Sequence, residues 1–348
     1  MALYNRINGK ELKDRLYHSV QTRTTISFYK YHRIEDPVSF RDELYKKFEQ
    51  VEVWGRIYVA QEGINAQISV PQARLYSFQS VLDNIPFLKG VRLNMAVEDN
   101  GKSFFKLKIL VRSKIVADGL DDATFDVTHC GVHVNAREFN ALADDPNTVI
   151  VDMRNHYESE VGHFKNAICP DVDTFREELK VVEGLLKDKK DKNLLMYCTG
   201  GIRCEKASAW FKHIGFKNVF QLNGGIIKYA QEVKAENLEN KFIGKNFVFD
   251  ERLGERISED IISECHQCGK PCDTHTNCKN DGCHLLFIQC PECAQHYHGC
   301  CSTECAEIIS LPAEAQKQLR KGVNKGRQVF RKGRGKNLRA VNYPSTTA

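Results

Sequence analysis

Ten of the chain's 14 cysteines fall between Cys265 and Cys305, and that crowding constrains the fold more than any other feature. So short a stretch cannot bury much apolar surface, so cross-links must supply folding energy that packing cannot. Disulfides fill this role in oxidising compartments and metal ions in reducing ones. The first residues carry no apolar segment of the secretory kind, and no run reaches the ~18 apolar residues of a membrane span. The expected address is therefore cytoplasmic, with no membrane partner, and the expected cross-link is metal. Cys265-x-x-Cys268 and Cys290-x-x-Cys293 are knuckles about twenty residues apart, a spacing that suits tetrahedral zinc. Cys272, Cys278, Cys283, Cys300, Cys301 and Cys305 are left for a second site, for which Cys278, Cys283, Cys300 and Cys305 are the expected ligands. His266, His275, His284, His296 and His298 offer further nitrogen donors. Structural zinc is the expectation, with an iron–sulfur cluster or disulfides as alternatives, and the sequence leaves the cysteine pairing open.

Charge is distributed unevenly. Between Ala306 and Ala348 there are ten Lys/Arg against two acids, an excess larger than the net charge of +5 on the whole chain. A basic arm on a slightly acidic body suits a polyanionic partner. Its candidate RNA contacts are Lys325, Arg327, Arg331, Lys332 and Arg334. With few apolar residues, the segment 306–348 is expected to be disordered when free.

The 348 residues leave room upstream for two further domains. Up to about residue 125, strand patterns at Thr24–His32, Gly55–Ala60, Ile64–Val70, Val91–Val97 and Phe104–Val111 alternate with helical patterns at Val38–Gln50 and Pro71–Asn84. That order implies a ferredoxin-like (acylphosphatase-like) α+β domain. Residues 126–238 read as an α/β unit, with short apolar runs at Thr148–Met153, Asn193–Cys198 and Val219–Leu222 separated by helical stretches. Residues 239–264 read as a polar linker, 265–305 as the cysteine-rich module, and 306–348 as the basic tail.

The α/β unit contains the most informative local motif. An apolar strand ends at Cys198, and Cys-Thr-Gly-Gly-Ile-Arg, through Arg203, opens a helix. A thiol becomes a nucleophile when ionised, and a helix N-terminus offers unpaired N–H groups and the positive end of the dipole. Within the loop of Thr199, Gly200, Gly201 and Ile202, the two glycines let backbone N–H groups turn toward one sulfur, and Arg203 adds a fixed positive charge. Cys198 is the expected nucleophile, Arg203 its catalytic partner.

This segment resembles the rhodanese family, whose loop runs Cys-x-x-x-x-Arg. Asp152-Met-Arg154 looks like that family's Asp-x-Arg segment, Glu158 and Gly162-His-Phe164 like its Gly-His loop, and Gly224-Gly225 like its closing glycines. The resemblance implies sulfur rather than phosphate chemistry, since related phosphatases use a loop one residue longer. It also implies a structural His163, with Asp152 and Arg154 supporting the loop. Cys204, directly after Arg203, is a candidate resolving thiol.

Over a wider span, Ile26-Ser-Phe-Tyr-Lys-Tyr, Glu62-Gly-Ile-Asn-Ala-Gln-Ile-Ser-Val70, Asp152-Met-Arg-Asn-His-Tyr-Glu158, Met196 to Ser208, Phe242 to Arg252 and Cys265-His-Gln-Cys268 resemble the bacterial oxygen-dependent tRNA uridine hydroxylases. The resemblance implies 5-hydroxyuridine formation at the wobble position, a tRNA anticodon arm as partner and dioxygen as co-substrate. The sequence has no flavin or nicotinamide fingerprint and does not identify the electron donor. Phe28, Tyr29, Tyr31 and His32 are candidates for stacking on bases. A persulfide-carrying sulfurtransferase is the alternative, and a zinc-stabilised RNA-binding protein a second.

Overall fold

A computed structural model describes residues 3, 7–122, 124–322 and 332–342. Of the expected RNA contacts, Lys325, Arg327 and Arg331 lie outside the described residues.

Helix α1 (Gly9–His18) leads into β1 (Arg23–Tyr31), α2 (Pro37–Gln50), β2 (Trp54–Ala60), β3 (Gly63–Pro71), α3 (Leu75–Asp83), β4 (Asn94–Met95) and β5 (Leu107–Val111). Asp36 sets the start of α2, accepting from the backbone N–H groups of Val38 and Ser39, with Pro37 following in the first turn. The strands lie in the order β4-β1-β3-β2-β5. The first four positions, all antiparallel to their neighbours, are the split arrangement of a ferredoxin-like sheet. The fifth strand joins the far edge parallel to β2. The expected strand at Val91–Val97 shrinks to the two residues of β4. Helices α2 and α3 cover one face, with Phe78 packed against both Phe28 and Phe48.

The next unit comprises β6 (Val132–Val134), α4 (Ala136–Asp144), β7 (Thr148–Asp152), α5 (His156–Ser159), β8 (Gly162–Phe164), α6 (Phe175–Leu186), β9 (Asn193–Tyr197), α7 (Ile202–His213), β10 (Asn218–Leu222) and α8 (Gly225–Glu236). A parallel sheet, β6-β10-β9-β7, forms its centre. Alternation along β9 sends Leu194, Met196 and then Cys198 toward α6 and α7, and Leu195 and Tyr197 toward α4 and α8. Both faces are therefore buried, as the continuous apolar run requires.

Residues 239–264 are not a linker. Strands β11 (Phe242–Asn246) and β12 (Glu255–Arg256) build a three-stranded sheet with β8, and Phe242 is fully buried against Phe164. The alternation of Phe242, Gly244 and Asn246 on the buried side is the signal hidden in this polar stretch. The cysteine-rich module follows with β13 (His275–Asn277), β14 (Leu286–Ile288), α9 (Pro291–His296) and α10 (Thr303–Ser310). It is docked through Cys265, Leu286 and Ile288 onto Tyr157, Val161 and Phe247. The tail is also partly ordered: α11 (Ala313–Arg320) and α12 (Gly335–Asn342) form, and Leu338 is buried beside Phe287. Among the described residues no helix is long and apolar enough to cross a membrane.

Candidate active site

Cys198 stands at the carboxyl end of β9, where parallel α/β sheets gather their ligands, and the loop after it is shaped by glycines. Gly201 is left-handed at φ 99°, and a Cβ there would meet the Tyr29 hydroxyl at 2.9 Å. At Gly225, φ is +66° and a Cβ would lie 2.4 Å from the Cys198 carbonyl oxygen. Close approach at that point lets Ile226 and Ile227 donate their N–H groups to the Cys198 and Thr199 carbonyls, at 3.0 and 3.2 Å. The loop is thus held from behind by the start of α8, while Gly201 turns its N–H onto the Cys198 sulfur at 3.2 Å.

Burial would push the Cys198 thiol up. A hydrogen bond with the Cys204 thiol, the nearby Arg203 charge and the N–H groups of Cys204 and Arg203 outweigh it and bring the pKa down to about 6. Cys204 is fully buried, and both burial and the neighbouring Cys198 sulfur push its own thiol well up. It therefore serves as a neutral donor to a thiolate.

Arg203 is paired with Glu158, its guanidinium donating at 2.7 and 2.8 Å with both groups buried. Thr199 closes this pair, 3.4 Å from each partner. Glu158 is itself fixed by accepting from the Asn155 N–H at 3.2 Å. Asp152 and Arg154 form a fully buried strut: Arg154 donates to Asp152 at 2.9 and 2.7 Å and to the Gly162 carbonyl at 2.6 Å, and Tyr197 donates to Asp152 at 2.8 Å. They tie β7, β8 and β9 together beneath the loop. Nδ1 of His163 lies 3.0 Å from the Phe164 carbonyl, within the β8–β11 pairing.

The N-terminal domain closes over this loop. Tyr29 donates to Glu205 at 2.9 Å, Tyr31 to the Ile202 carbonyl at 3.3 Å, and Asn94 to the Gly200 carbonyl at 3.3 Å. Lys206, buried, donates to Glu62 at 2.9 Å and Asp118 at 2.5 Å. The two domains enclose a cavity of about 460 Å³, with Ser27, Tyr29, Tyr58 and Gln67 on one wall and Cys198, Thr199, Gly200 and Arg203 on the other. Phe249, Arg252, Glu255 and Lys332 complete it.

Three family descriptions match consecutive parts of the chain: an UPF0176 acylphosphatase-like domain over residues 23–115, a rhodanese-like domain over 135–232 and a rhodanese C-terminal region over 243–306. A tRNA uridine(34) hydroxylase of Pectobacterium carotovorum (strain PC1) is 58% identical over 96% of this chain and 94% of its own. Those of Pectobacterium atrosepticum (strain SCRI 1043) and Yersinia pestis (strain Pestoides F) are each 56% identical, over 100% and 99% of this chain and 98% and 97% of theirs. The chain belongs to the tRNA uridine(34) hydroxylase family.

In this tRNA uridine(34) hydroxylase family member, two cysteine sets converge: Cys265, Cys268, Cys290 and Cys293, and Cys278, Cys283, Cys301 and Cys305, the sulfurs of each set within 4.8 Å of one another. Four thiols so close fit a single thiophilic cation, and the Cys290 N–H points at the Cys265 sulfur at 3.4 Å, as toward a thiolate. The expected ligand Cys300 is displaced by Cys301. Cys300 and Cys301 both pack in the module core, but only the Cys301 sulfur converges with the other three, and the Cys300 carbonyl accepts from Gln267 and Gln289 at 3.1 Å. Nε2 of His266 is engaged with Glu160 at 2.9 Å.

Of the aromatic candidates, Phe28 is core, and His32 stacks on Phe87 at 4.6 Å. Several residues at the site lie outside every motif quoted from the sequence: Asn94 and Glu255, which line the cavity, and Glu178. Glu178 lies on α6, fully buried with both carboxylate oxygens unpartnered, and burial raises its pKa well up against the pull of Arg203. In Phe175-Arg-Glu-Glu-Leu it reads as a solvated acid. Only packing against the loop reveals otherwise.

Proposed function

We propose that the chain hydroxylates the wobble uridine of tRNA at C5, with dioxygen as co-substrate, and that Cys198 is the reacting thiolate. The observation that carries this is the Cys198 sulfur, accepting from the Gly201 N–H at 3.2 Å, on the wall of a cavity of about 460 Å³, room for a flipped-out pyrimidine, in a family whose members bear that name. Gly201 and the first N–H groups of α7 stabilise negative charge on sulfur. Cys204 stays protonated and donates a hydrogen bond that stabilises the thiolate, and the Glu158–Arg203 pair sets the loop's shape. Inserting one oxygen atom of dioxygen, with the other leaving as water, requires two electrons from an external donor. The two cysteine sets are assigned structural zinc, which supplies folding energy to the module and takes no part in the reaction. The N-terminal domain and the basic tail, including Lys332 and Arg334, are assigned to the anticodon arm, which places the work in the cytoplasm.

The test is nucleoside mass spectrometry of tRNA from a deletion strain carrying either the wild-type gene or Cys198→Ser. The expected result is 5-hydroxyuridine and its derivatives with the wild type alone. A second reading, persulfide transfer, is favoured by the loop's N–H groups closing on one sulfur. It predicts Cys198-dependent consumption of thiosulfate and a missing thiolated nucleoside, with 5-hydroxyuridine retained.

A further inference from the structure

The face of the ferredoxin-like sheet turned away from α2 and α3 is polar and basic. Strand alternation and register set Ser27, Gln67, Arg56 and Lys108 in one row across β1, β3, β2 and β5, with Tyr29 and Tyr58 in the next. Ser27, Gln67 and Arg56 of the first row line the Cys198 cavity, as do both tyrosines. Arg56 is exposed and marks where that cavity opens to solvent, and Lys108, also exposed, stands one strand further out. The strip therefore runs without a break from the reactive thiol to the surface.

Its charge is uncompensated. The five strands contain no Asp or Glu. Arg56 and Lys108 are register partners on neighbouring strands, and like charges so placed repel, so stability alone would favour an uncharged residue at either position. Among the described residues neither side chain has a carboxylate or hydrogen-bond partner. The other cavity cations Arg203 and Arg252 are committed, to Glu158 and to Asp250 and Glu255. Partial burial and the nearby charges of Arg56, Lys106 and Arg112 lower the Lys108 pKa, a cost that an arriving anion would relieve. Beside this pair stands the half-buried ring of Tyr58, with the Arg112 guanidinium 5.7 Å from its centre. Cations next to an aromatic ring on an open sheet suit single-stranded RNA, whose unstacked bases lie on the ring while its phosphates meet the charges. A double helix keeps its bases stacked inside and could use only the charges.

We propose that Tyr58, Arg56 and Lys108 form the subsite for the nucleotide adjoining the one whose base enters the Cys198 cavity. The adjoining base stacks on Tyr58, and its phosphate lies between Arg56 and Lys108. The inference rests on the uridine hydroxylase reading, which makes the RNA an anticodon loop.

Binding of an anticodon stem-loop to the full-length protein tests it, with a fully paired RNA duplex of equal charge as the control. Arg56→Gln and Lys108→Gln should each weaken stem-loop binding about tenfold and flatten its log–log salt dependence by about one. Tyr58→Leu should also weaken it about tenfold, with the salt slope unchanged, while Tyr58→Phe, which keeps the ring, should bind like the wild type. An abasic residue on one side of the wobble uridine should cost the wild type what Tyr58→Leu costs with native RNA. Combining the two should bring no further loss. Duplex binding should be unaltered in every variant, and thermal melting reads whether each variant keeps its fold. Native stem-loop affinity in Arg56→Gln or Lys108→Gln, or equal losses for stem-loop and duplex, would overturn the assignment. So would losses that multiply between Tyr58→Leu and an abasic residue on either side. Absence of 5-hydroxyuridine with these affinities as expected would count against the reaction, not against the subsite.

Discussion

The charge on one sulfur atom is decided by groups within a few residues of it. Cys198 is buried, which favours the thiol, yet Cys204, Arg203 and the backbone bring its pKa to about 6. Because the thiolate is the reactive form, alkylation of Cys198 should be flat above neutrality and fall as pH drops through about 6, reaching roughly a tenth of its plateau near pH 5. Peptide mass spectrometry of iodoacetamide-treated protein reads this directly. Cys204→Ala, which removes a donor to the thiolate, should move the half-point upward. The Glu158–Arg203 pair belongs to the same scale. Both groups are buried, so Glu158→Gln strands a guanidinium without its counter-charge. Urea denaturation should show a loss of about 3 kcal/mol, and an unchanged midpoint would mean that Arg203 finds another partner.

At the scale of elements, short polar stretches prove to be structural parts. The stretch at Phe242–Asn246 is a strand because its alternate residues fit under β8, and the cysteine-rich module is a hairpin and two helices built around two sulfur clusters. Those clusters make a sharp prediction. Metal analysis should find two equivalents per chain, Cys301→Ala should lose one of them, and Cys300→Ala should keep both. The opposite pattern would restore the ligand set expected from spacing alone. Chelation should unfold the module, visible as loss of protection in β13 and β14 by hydrogen exchange.

For the whole molecule, the decisive feature is the apposition of the ferredoxin-like sheet and the rhodanese-like loop. Lys206 spans it, holding Glu62 from one side and Asp118 from the connecting segment. Replacing it by Met leaves Asp118 buried without that partner, a cost of about 3 kcal/mol that falls on the contact between the domains. Lys206→Met should therefore raise the KM for tRNA and make Cys198 more accessible to alkylating reagents. Near-wild-type values for both would show that the domains stay closed without this link.

Much of this was legible in the chain itself. Periodicity found the long helices and strands of the first two domains, because apolar spacing at 3.6 or 2 reports which face is buried, but it missed the short elements α1, α5, β6 and β8 and overextended β4. The loop from Cys198 to Arg203 was legible because a strand end, two glycines and a cation in fixed order have few structural solutions. The first cysteine set was legible in full from its two knuckles, and the second in three of its four members, since nothing in the local pattern distinguishes Cys300 from Cys301. Glu178, Asn94, Lys206, Glu255 and the cavity position of Lys332 were decided by tertiary structure alone. Each belongs to a contact between segments distant in the chain, and burial of a charged residue is a property of what packs against it, which no local pattern encodes.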